Sequence, residues 1–394
     1  MENDWFKATR GLYVHFPLCR RKCPYCGFFV LAGWADREEL HHAYWQAVLR
    51  ELQHRLAEGG PQFHTLYLGG GTPTVSDPRA LDAFLAGIHR RVPLPADAEI
   101  TVEANPESLT DEVLAVLKHH GVNRLSIGAQ SGRISELRWL GRDHTPQTVE
   151  QAVRRARRWG FTNVNLDLIF GLPGQTESHL EQSLRWAVAL EPEHLSVYSL
   201  TVEPGTVLWR ELRKGRISLP SEDQMVRLFR LREEILEAQG YRLYEVSNFA
   251  RPGYESRHNL VYWCHHEYLG VGLSAASFRY LSADRAERAT QHRSWVRYLR
   301  GEFSPEREVL DARALLLERV FLGLRLRDGL LWPLPDPSSR LPGLVRLQQG
   351  RLVLTPQGRL LADRVAVEVV DFLESMEISP ETLLRQLRAA ACPF

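Results

Sequence analysis

Three cysteines near the start of the chain, Cys19, Cys23 and Cys26, are spaced Cys-x3-Cys-x2-Cys. Thiolates so close together can hold three irons of a cubic iron–sulfur cluster, leaving the fourth iron open to a substrate or cofactor. Zinc is the other chemistry open to them. Cys23 and Cys26 have knuckle spacing, and Cys19 with His15 could complete four ligands. Structural zinc motifs usually bring a second paired half, whereas Cys264 and Cys392 are single and distant. The apolar run Leu12–Phe16 reads as a buried strand ended by Pro17, so the cysteines must lie on a loop.

What positions such a loop is legible downstream. A helix is expected over 37–56, then strands over 63–68, 99–104, 124–128, 164–170 and 195–200. Helices between them are announced by Asp77-Pro78, Thr110, Thr145-Pro146 and Ser178, and Gly121 and Gly160 close two of them. Six strand–helix units predict a parallel sheet with helices outside, an open, partial (β/α)6 relative of the TIM barrel. Polar residues recur at the C-terminal ends of these strands: the cysteines, Gly69-Gly70-Gly71-Thr72-Pro73, Glu103-Ala104-Asn105-Pro106, Gln130 and Asp167. In barrels that end is the catalytic mouth, and five such placements in succession predict one site across it.

Beyond Pro220 the rhythm changes. A helix over 225–239 and a strand over 241–246 extend the sheet, followed by an irregular aromatic segment, 247–280, with His258-Asn259-Leu260-Val261-Tyr262-Trp263. A helix over 312–324, a proline-rich loop over 332–342, a short strand over 352–354 and a Thr355-capped helix suggest a smaller winged-helix-like domain. The division expected is 1–220 for the barrel, 221–300 for its extension and 301–394 for the C-terminal domain. A net charge of +1 gives no electrostatic case for nucleic acid. The five cysteines are odd in number and three are clustered, which argues against a disulfide framework and for a reducing, cytoplasmic setting. No run approaches 18 apolar residues, so no membrane-spanning helix is expected, and the first residues lack a signal-peptide core.

The motifs together resemble the radical S-adenosylmethionine (SAM) family of oxygen-independent coproporphyrinogen III oxidase (coproporphyrinogen dehydrogenase), and within it the HemW-type heme chaperones. They are Tyr13-x-His15 with the three cysteines, Gly69–Thr74, Arg124–Ser131, Leu140-Gly141-Arg142, Asp167–Pro173 and His258–Trp263. The resemblance implies a [4Fe-4S] cluster on Cys19, Cys23 and Cys26. It implies SAM held by Tyr13, Tyr25, Gly70, Gly71, Thr72, Glu103, Gln130, Arg142 and Asp167, with Tyr25 beside the adenine. It also implies heme with His258 as axial ligand, Cys264 and Cys392 being rivals. Implied partners are heme-accepting proteins, with respiratory enzymes at the membrane among the candidates, and a homodimer is left open. Phe28 stands where the oxidases have a further cysteine, and only 12 residues precede Tyr13; both features weigh against propionate oxidation. The alternatives are the dehydrogenase itself and a class C radical SAM methyltransferase.

Overall fold

A computed structural model describes residues 10–56 and 62–388. Six parallel strands form its centre: β1 (Gly11–Phe16), β2 (Thr65–Gly70), β3 (Glu99–Ala104), β4 (Arg124–Gln130), β5 (Val164–Phe170) and β6 (His194–Ser199), hydrogen-bonded in that order. Along each strand, apolar side chains alternate with polar ones. Leu12, Val14, Leu66, Leu68, Ile100, Val102, Leu125, Ile127, Leu166, Leu168, Leu195 and Val197 pack against the flanking helices in one continuous core. The alternate residues share the concave face: Tyr13 packs on Tyr67, while Tyr67, Glu103, Ser126, Asn165, Asp167 and His194 hydrogen-bond to neighbouring strands. A period of two thus separates a dry outer layer from a polar lumen.

The sheet continues beyond the six strands at both edges. After β6 come β7 (Arg242–Leu243) and β8 (Asn248–Ala250), with β8 antiparallel to β6. The expected strand over 241–246 is therefore shorter than its apolar pattern suggested, and the longer edge contact falls to 248–250. On the other side β9 (Tyr268–Val271) runs parallel to β1, followed by β10 (Ala276–Tyr280), β11 (Ala286–Thr290) and β12 (Glu306–Leu310). The segment expected to be irregular, 247–280, thus supplies three strands, β8, β9 and β10, and a helix over Arg257–Trp263. The order is β12-β11-β10-β9-β1-β2-β3-β4-β5-β6-β8-β7, an open sheet and not a closed barrel.

Behind β1, Phe16 stacks on Trp45, Trp45 on Phe84, and Tyr44 on Trp295. The buried Glu51 in the same helix as Tyr44 accepts from Gly272 N–H at 2.8 Å, Gln291 Nε2 at 2.7 Å and Tyr298 OH at 2.5 Å. This carboxylate stitches residues after β9 to the N-terminal helix. The C-terminal part has its own apolar cluster around Leu316, Val320, Leu352, Val365, Val369 and Leu387. There β13 (Leu330–Leu331), β14 (Val345–Gln348) and β15 (Arg351–Leu354) pair antiparallel in the order β13-β15-β14 beside helices Ala312–Gly323 and Ala362–Glu374. The large sheet itself runs to Leu310, past the division expected near residue 300.

Candidate functional site at the mouth of the sheet

The cysteine loop leaves β1 at Pro17 and is tied down at both ends. Leu31 N–H donates to Pro17 O at 2.7 Å and Gly33 N–H to Cys19 O at 3.2 Å. His15 adds a side-chain tether, its Nε2 lying 3.0 Å from Phe29 O and its Nδ1 3.0 Å from Tyr13 OH. A carbonyl can only accept, so Nε2 carries the proton and Nδ1 takes the Tyr13 hydroxyl's. Burial lowers the His15 pKa to about 4, which keeps the ring neutral.

The glycine run crosses beneath this loop. Gly71 N–H donates to Phe16 O at 2.7 Å and Thr72 N–H to Leu18 O at 3.0 Å. A Cβ on Gly71 would come within 2.6 Å of Leu18 O, and one on Gly70, at φ +106°, within 2.4 Å of the His15 ring. Only glycine lets the two backbones approach so closely.

Loop, glycines and strand ends enclose one cavity of about 580 Å³. It is lined by Cys19, Cys23, Cys26, Tyr25, Gly70, Gly71, Thr72, Glu103, Gln130, Arg142 and Asp167, among others. The structure thus brings together the three cysteines and eight of the ten other residues singled out in the sequence. Asn105, named only as part of a strand-end run and given no role, and Gly128 line it too. A Cβ on Gly128 would lie 2.7 Å from Gln130 Nε2 and 3.3 Å from Arg142 Nη2. The only sequence signal for Asn105 was its place after a strand, before a proline.

Two carboxylates face this space. Glu103 accepts from Tyr67 OH at 2.8 Å and Gly70 N–H at 3.0 Å. Burial, with Asp167 nearby, raises its pKa to about 7. Asp167 accepts from Asn165 Nδ2 at 2.8 Å and Ser126 Oγ at 3.2 Å, and burial raises its pKa as well.

The three cysteines are free thiols. Burial pushes Cys19 up to about 11 and raises Cys26, so metal binding there would displace protons. Every sulfur has a polar partner: Thr72 OH for Cys19, Arg142 and the Tyr25 hydroxyl for Cys23, and the backbone of Phe28 for Cys26. Three such sulfurs around a cavity with one open side fit a cluster that keeps one iron for a ligand. His15 holds its ring on Phe29 O and Tyr13, so it is not a fourth ligand for zinc.

Two of the expected residues stand away from this lining. Tyr13 does not line the cavity; it sits deeper in the lumen, bonded to His15 and packed near Tyr67 and His258. His258 lies at the opposite end of the strands, 1% exposed, with Nδ1 2.7 Å from Thr65 Oγ1 and Nε2 2.8 Å from Tyr262 OH. Its N–H cap comes from Glu99, which accepts from the His258 and Arg257 backbones at 2.9 Å each. Burial, with Arg124 nearby, lowers its pKa to about 3. Both ring nitrogens are engaged, so neither is presented to an iron. Cys264 is buried as well, packed among Tyr244, Leu260 and Leu326. Cys392 lies outside the described residues.

Known proteins match this chain in both sequence and fold. The radical SAM superfamily model matches residues 13–187. The heme chaperone HemW of Bacillus subtilis is 36% identical over 380 residues, covering 90% of this chain and 98% of that protein. That of Escherichia coli is 38% identical over 305 residues, 77% and 79% of the two chains. Among solved structures, coproporphyrinogen III oxidase (HemN) of Escherichia coli superposes with a TM-score of 0.75 over 93% of this chain and 91% of that one, at 24% identity, a likeness of fold. Radical SAM proteins carry a [4Fe-4S] cluster and SAM, and among the described residues no helix is long and apolar enough to cross a membrane. From the cysteine loop, the glycine cradle and these matches, the chain belongs to the HemW family of the radical SAM superfamily.

Proposed function

We propose that this chain is a heme chaperone that binds heme and passes it to acceptor proteins, on a scaffold holding a [4Fe-4S] cluster and SAM. The observation that carries this reading is the 36% identity to HemW of Bacillus subtilis over 90% of this chain and 98% of that protein's length. Cys19, Cys23 and Cys26 would hold the cluster. Such a cluster supplies an electron and an open iron for the amino and carboxylate groups of SAM. Glu103, Gln130, Arg142 and Asp167 would take the charged and ribose groups of SAM, and Tyr25 its adenine. The glycines leave room for the methionyl end.

Heme has a different home in this reading. Phe28 is 66% exposed on the cavity's rim, and Arg21 and Lys22 line the same mouth. An aromatic face flanked by cations suits a flat apolar macrocycle with two propionates. We place heme there and not at His258.

The test uses the anaerobically reconstituted protein. It should bind heme and hand it to an apo-acceptor such as a heme-depleted respiratory enzyme. With SAM and a reductant it should form no protoporphyrinogen IX from coproporphyrinogen III. Turnover of that substrate would replace the chaperone by the dehydrogenase. Heme affinity that falls in Phe28→Ala and holds in His258→Ala supports the mouth; the reverse pattern returns the ligand to His258.

A further inference from the structure

Asn105 touches none of the cysteines, yet it stands between the groups that do. Its Nδ2 donates to Thr72 Oγ1 at 3.2 Å, and its Oδ1 accepts from Arg142 Nη2 at 2.6 Å. Thr72 Oγ1 lies 3.5 Å from Cys19 Sγ, and Arg142 Nη1 3.6 Å from Cys23 Sγ. The side chains form a closed arc from one sulfur to the other.

The chemistry of the arc fixes its protons once Cys19 is a cluster thiolate, which can only accept. A guanidinium can only donate, so the amide atom facing Arg142 must be oxygen. The nitrogen then faces Thr72 and uses one lone pair of its hydroxyl. Thr72 is left with its own proton, which a thiolate at Cys19 would accept. Replacing the amide by a group that cannot both donate and accept would break this order.

The arc is also held from outside. Arg142 Nη2 makes a second bond to Gly128 O at 3.2 Å. Asn105 is extended before Pro106, with φ −91° and ψ 148°, and its carbonyl accepts from Ser108 N–H and Oγ. A Cβ on Gly128 would come within 3.4 Å of Asn105 Oδ1 and 3.3 Å of Arg142 Nη2.

We propose that Asn105 is a positioning residue for the cluster: by orienting Thr72 and Arg142 it sets the hydrogen bonds on Cys19 and Cys23 and thereby raises the cluster's reduction potential. Hydrogen bonds and a neighbouring cation at the sulfurs favour the reduced, more negative state. Cys26, bonded by backbone, lies outside this control. The inference rests on the reading that the three cysteines hold a four-iron cluster.

The test is a redox titration of the reconstituted full-length protein with dithionite, without SAM, followed by electron paramagnetic resonance. Asn105→Leu should lower the midpoint so that the reduced-to-oxidised ratio at fixed potential falls about tenfold, which is about 59 mV for one electron. Thr72→Val should lower it too, and the double variant should shift by less than the sum, because Asn105 acts partly through Thr72. An unchanged midpoint in Asn105→Leu, or strict additivity in the double variant, overturns the role of Asn105. Should Asn105→Leu take up no iron, Thr72→Val decides alone, and an unchanged midpoint there overturns the proposal. Wild-type protein that takes up no four-iron cluster sinks the cluster reading itself, and iron content separates that outcome from the others.

Discussion

The two ends of the lumen are both polar and both buried, yet they are built on opposite terms. At the floor, His258, His194 and Glu99 are spent on partners inside the fold. His258 is shared by Thr65 and Tyr262, His194 by Asn165 and Tyr244 at 2.7 and 2.8 Å, and Glu99 by two backbone N–H groups. At the mouth, Cys19, Cys23, Cys26, Glu103 and Asp167 line an open cavity, and each keeps acceptor capacity turned toward it. A buried polar group with all its partners inside the fold specifies structure; one with capacity to spare, facing space, awaits a ligand.

That contrast can be broken at the floor first. His258→Ala removes two side-chain hydrogen bonds and leaves a cavity, so it should cost about 3 kcal/mol of stability, roughly 150-fold in the folding equilibrium. SAM affinity should stay within about twofold. Folded His258 titrates at about 3 and the unfolded residue near 6.5. Its contribution is therefore present above pH 6.5 and is lost as pH falls toward 3, by about 1.4 kcal/mol per unit. Denaturant unfolding at several pH values checks both; a variant as stable as wild type, or one that loses SAM, erases the distinction.

At the mouth the pattern should invert. Asp167→Asn removes a charge facing the cavity and should weaken SAM roughly ten- to a hundredfold, the worth of a charged hydrogen bond of about 1.5–3 kcal/mol. Its unfolding midpoint should hold or rise, since burial already disfavours the ionised form. Calorimetric titration alongside thermal unfolding separates the two effects.

The smallest effect sharpens the comparison within the mouth. Glu103 is largely neutral below its raised pKa of about 7. SAM is cationic at sulfur and nitrogen and favours the ionised carboxylate, so binding below pH 7 should release a proton. Affinity should therefore climb between pH 6 and 7, by at most about tenfold per unit, and level off above. Glu103→Gln should bind more weakly with a flatter profile; an unchanged slope would assign the titration to another group.

How far the sequence foretells this contrast depends on locality. The mouth is legible because each contributor sits at a strand's end, and strand ends are marked by an apolar run meeting glycine, proline or charge. The parallel core is legible for the same reason. His258 is not, because aromatic neighbours surround a packed histidine and a ligand-facing one alike; what decides is Thr65, Glu99 and Gly11, all far away in the chain. Asn105 is legible as a mouth residue, but its partners are not, because only the adjacency of β2, β3 and β4 brings Thr72, Asn105 and Arg142 together. β9 is missed because a parallel pairing across some 250 residues leaves no turn or spacing to read.

That last pairing bears on how the protein is made. A chain grows from its N-terminus, so β1, which carries the cysteine loop, is synthesised with β2 for a neighbour and nothing on its other side. Its free edge of N–H and C=O groups is closed only when its distant partners in β9 arrive, Tyr268 to Val271, with Glu51 finding Gly272 a residue later. Until then the loop hangs on an edge strand open to pairing with another chain. Loading of the cysteines is therefore best served once the segment after Val271 has been made and β9 can pair, and a chain truncated before Tyr268 should aggregate before it can hold metal.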